Sequence, residues 1–169
     1  MERPSWVLLV YRLPREPSRH RVAVWRKLRD LGALYLQDGV AALPEDAVTR
    51  EQLEWLQLRV REAGGEATLW VGRPATASEE GVLVEAFRSS REEAYRAIVA
   101  QAARIGRKAQ MGGGSLPEAL KKLEREYRAE RKRDYFRSPL RAEAAAALKA
   151  ARRAVRGESS GGFSAGSKD

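Results

Sequence analysis

The stretch Ala33-Leu-Tyr-Leu-Gln37-Asp38-Gly39-Val40-Ala-Ala-Leu43 sets two short β-prone runs on either side of Asp-Gly. Asp-Gly is among the strongest two-residue hairpin signals, because a tight hairpin turn needs positive φ and these residues tolerate it. Antiparallel strands are therefore predicted at 33–37 and 40–43. Upstream, from Ser18, the apolar spacing becomes helical: Val24, Leu28 and Leu31 recur at i, i+4 and i+7 with Trp25 beside them, and Gly32 supplies the stop. Before that helix, Trp6-Val-Leu-Leu-Val-Tyr11 is apolar at every position, which marks a central strand covered on both faces and ended by Leu13-Pro14. Downstream, 49–63 places Leu53, Leu56, Val60 and Ala63 on one helical face and ends at Gly64-Gly65. Ala67-Thr-Leu-Trp-Val71, bounded by Gly72 and Pro74, reads as a fourth strand.

The order β-α-β-β-α-β over residues 1–74 predicts an α+β fold, the ferredoxin-like arrangement of two helices on one face of a four-stranded antiparallel sheet. Its other face needs a cover, from the later helices or from a second copy in a homodimer, since soluble monomers rarely leave a large apolar face open. A helical carboxy-terminal extension should follow. Residues 75–106 carry a short apolar stripe at Val82, Leu83, Ala86 and Phe87, then Ser90-x-x-Glu93, a capping-box pattern that predicts a new helix with Tyr95, Ile98, Ala102 and Ile105 inward. Residues 107–117, with Gly112-Gly-Gly-Ser115, read as a flexible linker; the Gly-Lys-Ser/Thr ending of a phosphate loop is missing. Residues 118–156 should form a basic helical hairpin. Its first helix runs to about Tyr135; the second opens at Ser138-Pro139 with Leu140, Ala144, Ala147, Leu148, Ala151 and Val155 inward. The Ser/Gly-rich tail, 157–169, is expected to be disordered.

Composition removes several classes of chemistry. The 169 residues include no cysteine, which excludes disulfides, thiolate metal sites and cysteine nucleophiles. One imidazole, His20, is too little for a transition-metal site or a Ser-His-Asp triad, and it is expected at a plain exposed helix position. Glu79-Glu80 and Glu92-Glu93 are paired carboxylates, but at predicted helix starts, where negative charge favours the helix dipole. No enzyme activity, cofactor or metal is expected. The longest early apolar run is far short of a membrane span, so a cytoplasmic protein without membrane contact is expected. Trp6, Trp25, Trp55 and Trp70 suit a core or a subunit interface, most of them the core.

Net charge is +9, and it is segregated. Residues 1–30 carry eight Lys/Arg against three Asp/Glu, and 119–156 carry thirteen against five, whereas 31–118 carry ten against thirteen. Such a distribution favours a positive field that draws in polyanions; the plainer reading is a set of solvated helix faces. The candidate DNA-binding residues are Arg19, Arg26, Lys27 and Arg29 on the first helix and Lys121, Arg125, Arg128, Lys132 and Arg133 on the long basic one. They would grip phosphates without reading sequence. Asn is absent, which removes one of the usual adenine readers. Arg12, Arg21 and Arg26, near the first strand and helix, are candidates for an oxyanion site, because forked guanidinium donors suit tetrahedral oxyanions.

Several of these segments carry a resemblance. Trp6 to Pro14, Arg21-Val-Ala-Val-Trp-Arg-Lys-Leu28, Leu31 to Val40, Glu51-Gln-Leu-Glu-Trp-Leu56, Gly64-Gly-Glu-Ala67 and Asp134-Tyr-Phe-Arg-Ser-Pro139 resemble, in order and spacing, the amino-terminal domain of ChrB-type chromate-resistance regulators. The resemblance implies a transcription regulator that binds double-stranded promoter DNA of a chromate-resistance operon, with chromate as effector. Longer members of that family append a second domain. The opening is also similar to the central domain of PaaX-type repressors and to the small metal-dependent nuclease of CRISPR adaptation. That nuclease places an aspartate at the end of its first strand as a magnesium ligand. Here Tyr11 and Arg12 stand there, and a guanidinium repels the metal, so nuclease chemistry is not expected.

Overall fold

The structure, a computed structural model, describes residues 4–112 and 116–157. Among these residues are four strands and five helices, in the order β1 (Trp6–Arg12), α1 (Ser18–Leu31), β2 (Leu34–Gln37), β3 (Val40–Pro44), α2 (Ala47–Glu62), β4 (Glu66–Gly72), α3 (Ala77–Gln110), α4 (Leu116–Arg133) and α5 (Leu140–Arg156). The strands form one antiparallel sheet in the order β2-β3-β1-β4. The apolar first strand is thus central, hydrogen-bonded on both edges. Asp38-Gly39 makes the predicted hairpin, with Gly39 at φ +76°; the Tyr11 N–H donates to Gly39 O at 2.7 Å. A register shift between Tyr35 and Gln37 marks β2 as the irregular edge.

The chain divides into two compact units. One contains residues up to Ser89 together with Lys132–Phe136; the other contains Ser90–Arg131 and the chain from Arg137 onward. In the first unit, Val7 and Leu9 of β1 lie in register with Leu43 and Ala41 of β3, and this sheet face packs with Val24 and Leu28 of α1 and Leu53, Leu56 and Val60 of α2. Alternation sends Trp6 and Leu8 to the opposite face. There Trp6 is buried against Phe87 of α3, 5.5 Å between ring centroids, and Phe136, 5.9 Å. The later helix covers only part of that face: Trp70 is 62% exposed, Leu36 42% and Val10 37%. In the second unit the inward sides of three helices meet: Tyr95, Ile98 and Ala102 of α3, Leu120 and Leu123 of α4, and Ala144, Leu148 and Ala151 of α5.

Three helix boundaries depart from the sequence reading. The α2 helix starts at Ala47 because Asp46 caps it: Asp46 Oδ1 accepts from the Thr49 N–H at 2.8 Å, and Thr49 Oγ1 accepts from the Asp46 N–H at 2.9 Å. This reciprocal box uses Thr where Glu or Gln is usual. The α3 helix is continuous through Ser90, so Ser90-x-x-Glu93 opens nothing. The working box is Thr76-x-x-Glu79: Glu79 Oε2 accepts from the Thr76 N–H at 3.0 Å and Thr76 Oγ1 from the Glu79 N–H at 3.2 Å. No proline interrupts the chain between these boxes, and propagating a helix is easier than nucleating another. Glu92 and Glu93 are therefore mid-helix rather than at a helix start, and Glu92 pairs with Arg96 at 2.9 Å. Residues 107–110 belong to α3 and Leu116 and Pro117 to α4 instead of a linker, while 113–115 and the tail beyond 157 lie outside the described residues. Ser138 serves as expected: it is buried, and its Oγ accepts from the Leu140 N–H at 3.2 Å.

The tryptophans correct a further expectation. Only Trp6 is core; Trp25 and Trp55, like Trp70, are exposed, at 47% and 60%. The inward helix stripes are filled by Val24, Leu28, Leu53, Leu56 and Val60, which leaves the indoles no place inside. Among the described residues, no helix is long and apolar enough to cross a membrane.

Candidate functional site

The α1 helix is positioned by its ends and its inner stripe. Gly32, at φ +72°, caps it: the Gly32 N–H donates to Arg29 O and the Ala33 N–H to Leu28 O, both at 2.9 Å. Tyr135 Oη donates to Leu31 O at 2.8 Å, which ties the same end to the 132–136 segment. With Val24 and Leu28 inward, Arg19 and Arg26 fall along the outer face, flanked by Lys27 and Arg29, and all four are exposed. Arg19, Arg26 and Lys27 have no ion-pair partner among the described residues. Arg29 lies 4.8 Å over the Trp25 ring and 3.7 Å from Asp30, so it is held more firmly.

On α4, Leu120 and Leu123 turn inward and Lys121, Arg125, Arg128 and Lys132 stay exposed. Two carboxylates of this helix are spent elsewhere: Glu124 pairs with Arg152 of α5, and Glu130 with Arg91 of α3 at 2.6 Å. Arg125, Arg128 and Lys132 consequently have no ion-pair partner among the described residues. Lys121 is partly neutralised by Glu118 at 2.9 Å, and its hydrogen bond and charge hold that exposed carboxyl below its ordinary pKa. Arg133 differs from the other four, being half-buried with its Cβ against Gly32.

Two of the three oxyanion candidates come together. Arg12 and Arg21 both line a cleft of about 740 Å³ with Tyr11, Trp25, Tyr35 and Asp38; Arg26 is not part of its lining. Arg12 is already paired with Glu66 at 3.0 Å, and Asp38 adds a second negative charge. The Tyr11 and Tyr35 hydroxyls are 2.9 Å apart. Burial, then the bond to Tyr11, pushes the Tyr35 phenol well above its ordinary pKa, so it stays protonated even in alkaline solution.

A second groove, of about 600 Å³, runs between α1 and α2. His20 and Lys27 contribute from α1, Gln52, Trp55 and Arg59 from α2. His20 is therefore half-buried at a groove wall rather than on a plain exposed face. Sequence reasoning missed Gln52, Trp55 and Arg59. Their i, i+3 and i+7 spacing was a signal, but the neighbour of that helix face is set by the fold. No group of three or more His, Asp or Glu among the described residues could hold a metal ion.

Comparison with curated proteins and with solved structures finds no match. The family model described as "Protein ChrB, N-terminal" matches residues 21–167. That span begins inside α1 and takes in the hairpin, α2, β4 and all three later helices, so every exposed basic residue named above on α1 and α4 except Arg19 falls within it. The chain belongs to the ChrB amino-terminal domain family.

Proposed function

We propose that this chain is a non-catalytic transcription regulator of a chromate-resistance operon, binding double-stranded DNA through the outer face of α1 and the exposed stripe of α4. The observation that carries this reading is the set of cations without ion-pair partners among the described residues, Arg19, Arg26 and Lys27 on one helix and Arg125, Arg128 and Lys132 on the other. Their own unit's carboxylates leave them available to phosphates, and family membership points the same way. Arg29, Lys121 and Arg133 are secondary contacts, since each already has a neighbour. Each phosphate neutralised adds roughly 0.9 to the slope of log affinity against log salt. Titration of duplex DNA at two salt concentrations tests the reading. Binding that weakens steeply with salt supports it, and the absence of measurable affinity at low salt refutes it.

The βαββαβ order and the sheet order β2-β3-β1-β4 support a ferredoxin-like assignment for residues 1–74, with α3 to α5 as a helical extension. For the effector, the Arg12 and Arg21 cleft is the place where chromate would bind, with the Tyr35 hydroxyl as a further donor. Calorimetry with chromate, and sulfate as the control, checks this; equal weak heats count against it. A second copy of the chain is the proposed cover for the open sheet face. Strong positive charge on the helices opposes association there, whereas the strip of Leu8, Val10, Leu36, Ala42 and Trp70 is uncharged. Trp70→Lys should shift sedimentation from dimer to monomer, and an unchanged monomer in both proteins rules the dimer out.

A further inference from the structure

The geometry points to the groove between α1 and α2 as a binding site for a nucleoside phosphate. Its size, about 600 Å³, is in the range of small-ligand sites. Its chemistry is mixed in a specific way. Trp55 presents an indole that is 60% exposed, although a helix surface position has no packing need for one. Lys27 and Arg59, one from each helix, have no ion-pair partner among the described residues. Gln52 and Glu62 lie in the same lining.

Each of these groups answers a different part of one ligand. An indole face stacks a nucleobase. The ammonium and the guanidinium complement the phosphate. The Glu62 carboxylate suits sugar hydroxyls, which donate hydrogen bonds, and would repel a bare oxyanion. The Gln52 amide can both donate to and accept from a base edge. Inorganic phosphate or chromate would leave the indole and the carboxylate unused, and an uncharged ring would leave the two cations unused. The site stands apart from the duplex contact proposed above, because Trp55 and Arg59 lie outside that set; Lys27 alone is common to both.

Calorimetry on the full chain, with AMP, GMP, CMP and UMP separately, tests the proposal. Adenosine and inorganic phosphate serve as partial ligands. At least one nucleotide should bind, with phosphate or nucleoside alone weaker by about ten-fold or more. Trp55→Ala and Arg59→Ala should each weaken binding by about ten-fold, while Trp55→Phe retains most of it. Both positions are exposed, so these variants should fold, which far-UV circular dichroism checks. A short single-stranded oligonucleotide identifies the source: tighter binding than the mononucleotide assigns the site to a strand, weaker binding to a free nucleotide. Absence of heat with all four nucleotides at millimolar concentration overturns the proposal. So does unchanged binding in Trp55→Ala and Arg59→Ala, or inorganic phosphate binding as well as the nucleotides. If those two variants lose duplex affinity to the same degree, the groove is part of the duplex surface and the separate site is refuted. Failure of duplex binding with nucleotide binding intact would instead refute only the regulator reading.

Discussion

Replacing Gly32 by alanine should destabilise the sheet-bearing unit more than the same change at Gly64, for a reason that can be isolated. Both glycines adopt left-handed φ, +72° and +76°. That conformation costs a residue with a β-carbon roughly 1–2 kcal/mol. At Gly64 a new Cβ meets nothing within 4 Å. At Gly32 it would sit 2.9 Å from Arg133 Cβ, with Cγ and Cδ at 3.2 and 3.3 Å. A Cβ moves only with its backbone, and the Tyr135 to Leu31 hydrogen bond holds that segment in place, so the contact adds about 1–3 kcal/mol of overpacking. Gly32→Ala should therefore cost roughly 2–5 kcal/mol and Gly64→Ala about 1–2. With a urea dependence of about 2 kcal/mol per molar, the midpoint falls by about 1–2.5 M for Gly32→Ala and by about 0.5–1 M for Gly64→Ala. All four tryptophans lie before Ser89, so intrinsic fluorescence reads this unit. Arg133→Gly in the Gly32→Ala background should recover about 1–3 kcal/mol in a double-mutant cycle. Equal midpoints for the two alanine variants, with zero coupling to position 133, would refute the packing argument.

In the helical unit, Arg91→Ala removes the ion pair with Glu130 at a site where the two side chains are only 13% and 15% exposed. It should cost about 3 kcal/mol, read by thermal melting of the far-UV dichroism, whereas removing both partners should be milder. Asp46→Ala takes away the α2 cap and should cost about 1–2 kcal/mol in the urea titration. The Tyr35 phenol has a raised pKa, so its contribution to stability is complete below about 10, the unfolded value, and is lost as pH rises through the folded one. Tyr11→Phe, which removes the hydroxyl partner, should flatten the fall in melting temperature above pH 10; an unchanged slope would contradict this assignment.

The strands were legible because their signals are local. Asp38-Gly39, the Leu13-Pro14 stop and the Gly72 and Pro74 bounds each work through φ preferences of one or two residues, and every strand lies within a residue or so of its predicted place. Capping boxes were less reliable: Ser90-x-x-Glu93 and Thr76-x-x-Glu79 look alike in sequence, and only the unbroken run of α3 through Ser90 shows which of them opens a helix. The basic faces of α1 and α4 could be read from periodicity. Which cations keep their charge could not, because it depends on Glu124 and Glu130 finding partners 28 and 39 residues distant. For the same reason Lys27 and Arg59 share a groove that no spacing along the chain announces.

The aromatic cluster around Trp6 bears on how the protein is made. Phe87 and Phe136, which close that side of the sheet, are encoded far behind the last strand, which ends at Gly72. A nascent chain that has just released β4 from the ribosome holds every strand and yet leaves Trp6 bare. Completion must wait until some 64 further residues, counted from Gly72 to Phe136, have been synthesised. At about 5–20 residues per second, that leaves several seconds in which an unfinished sheet needs protection from other hydrophobic chains.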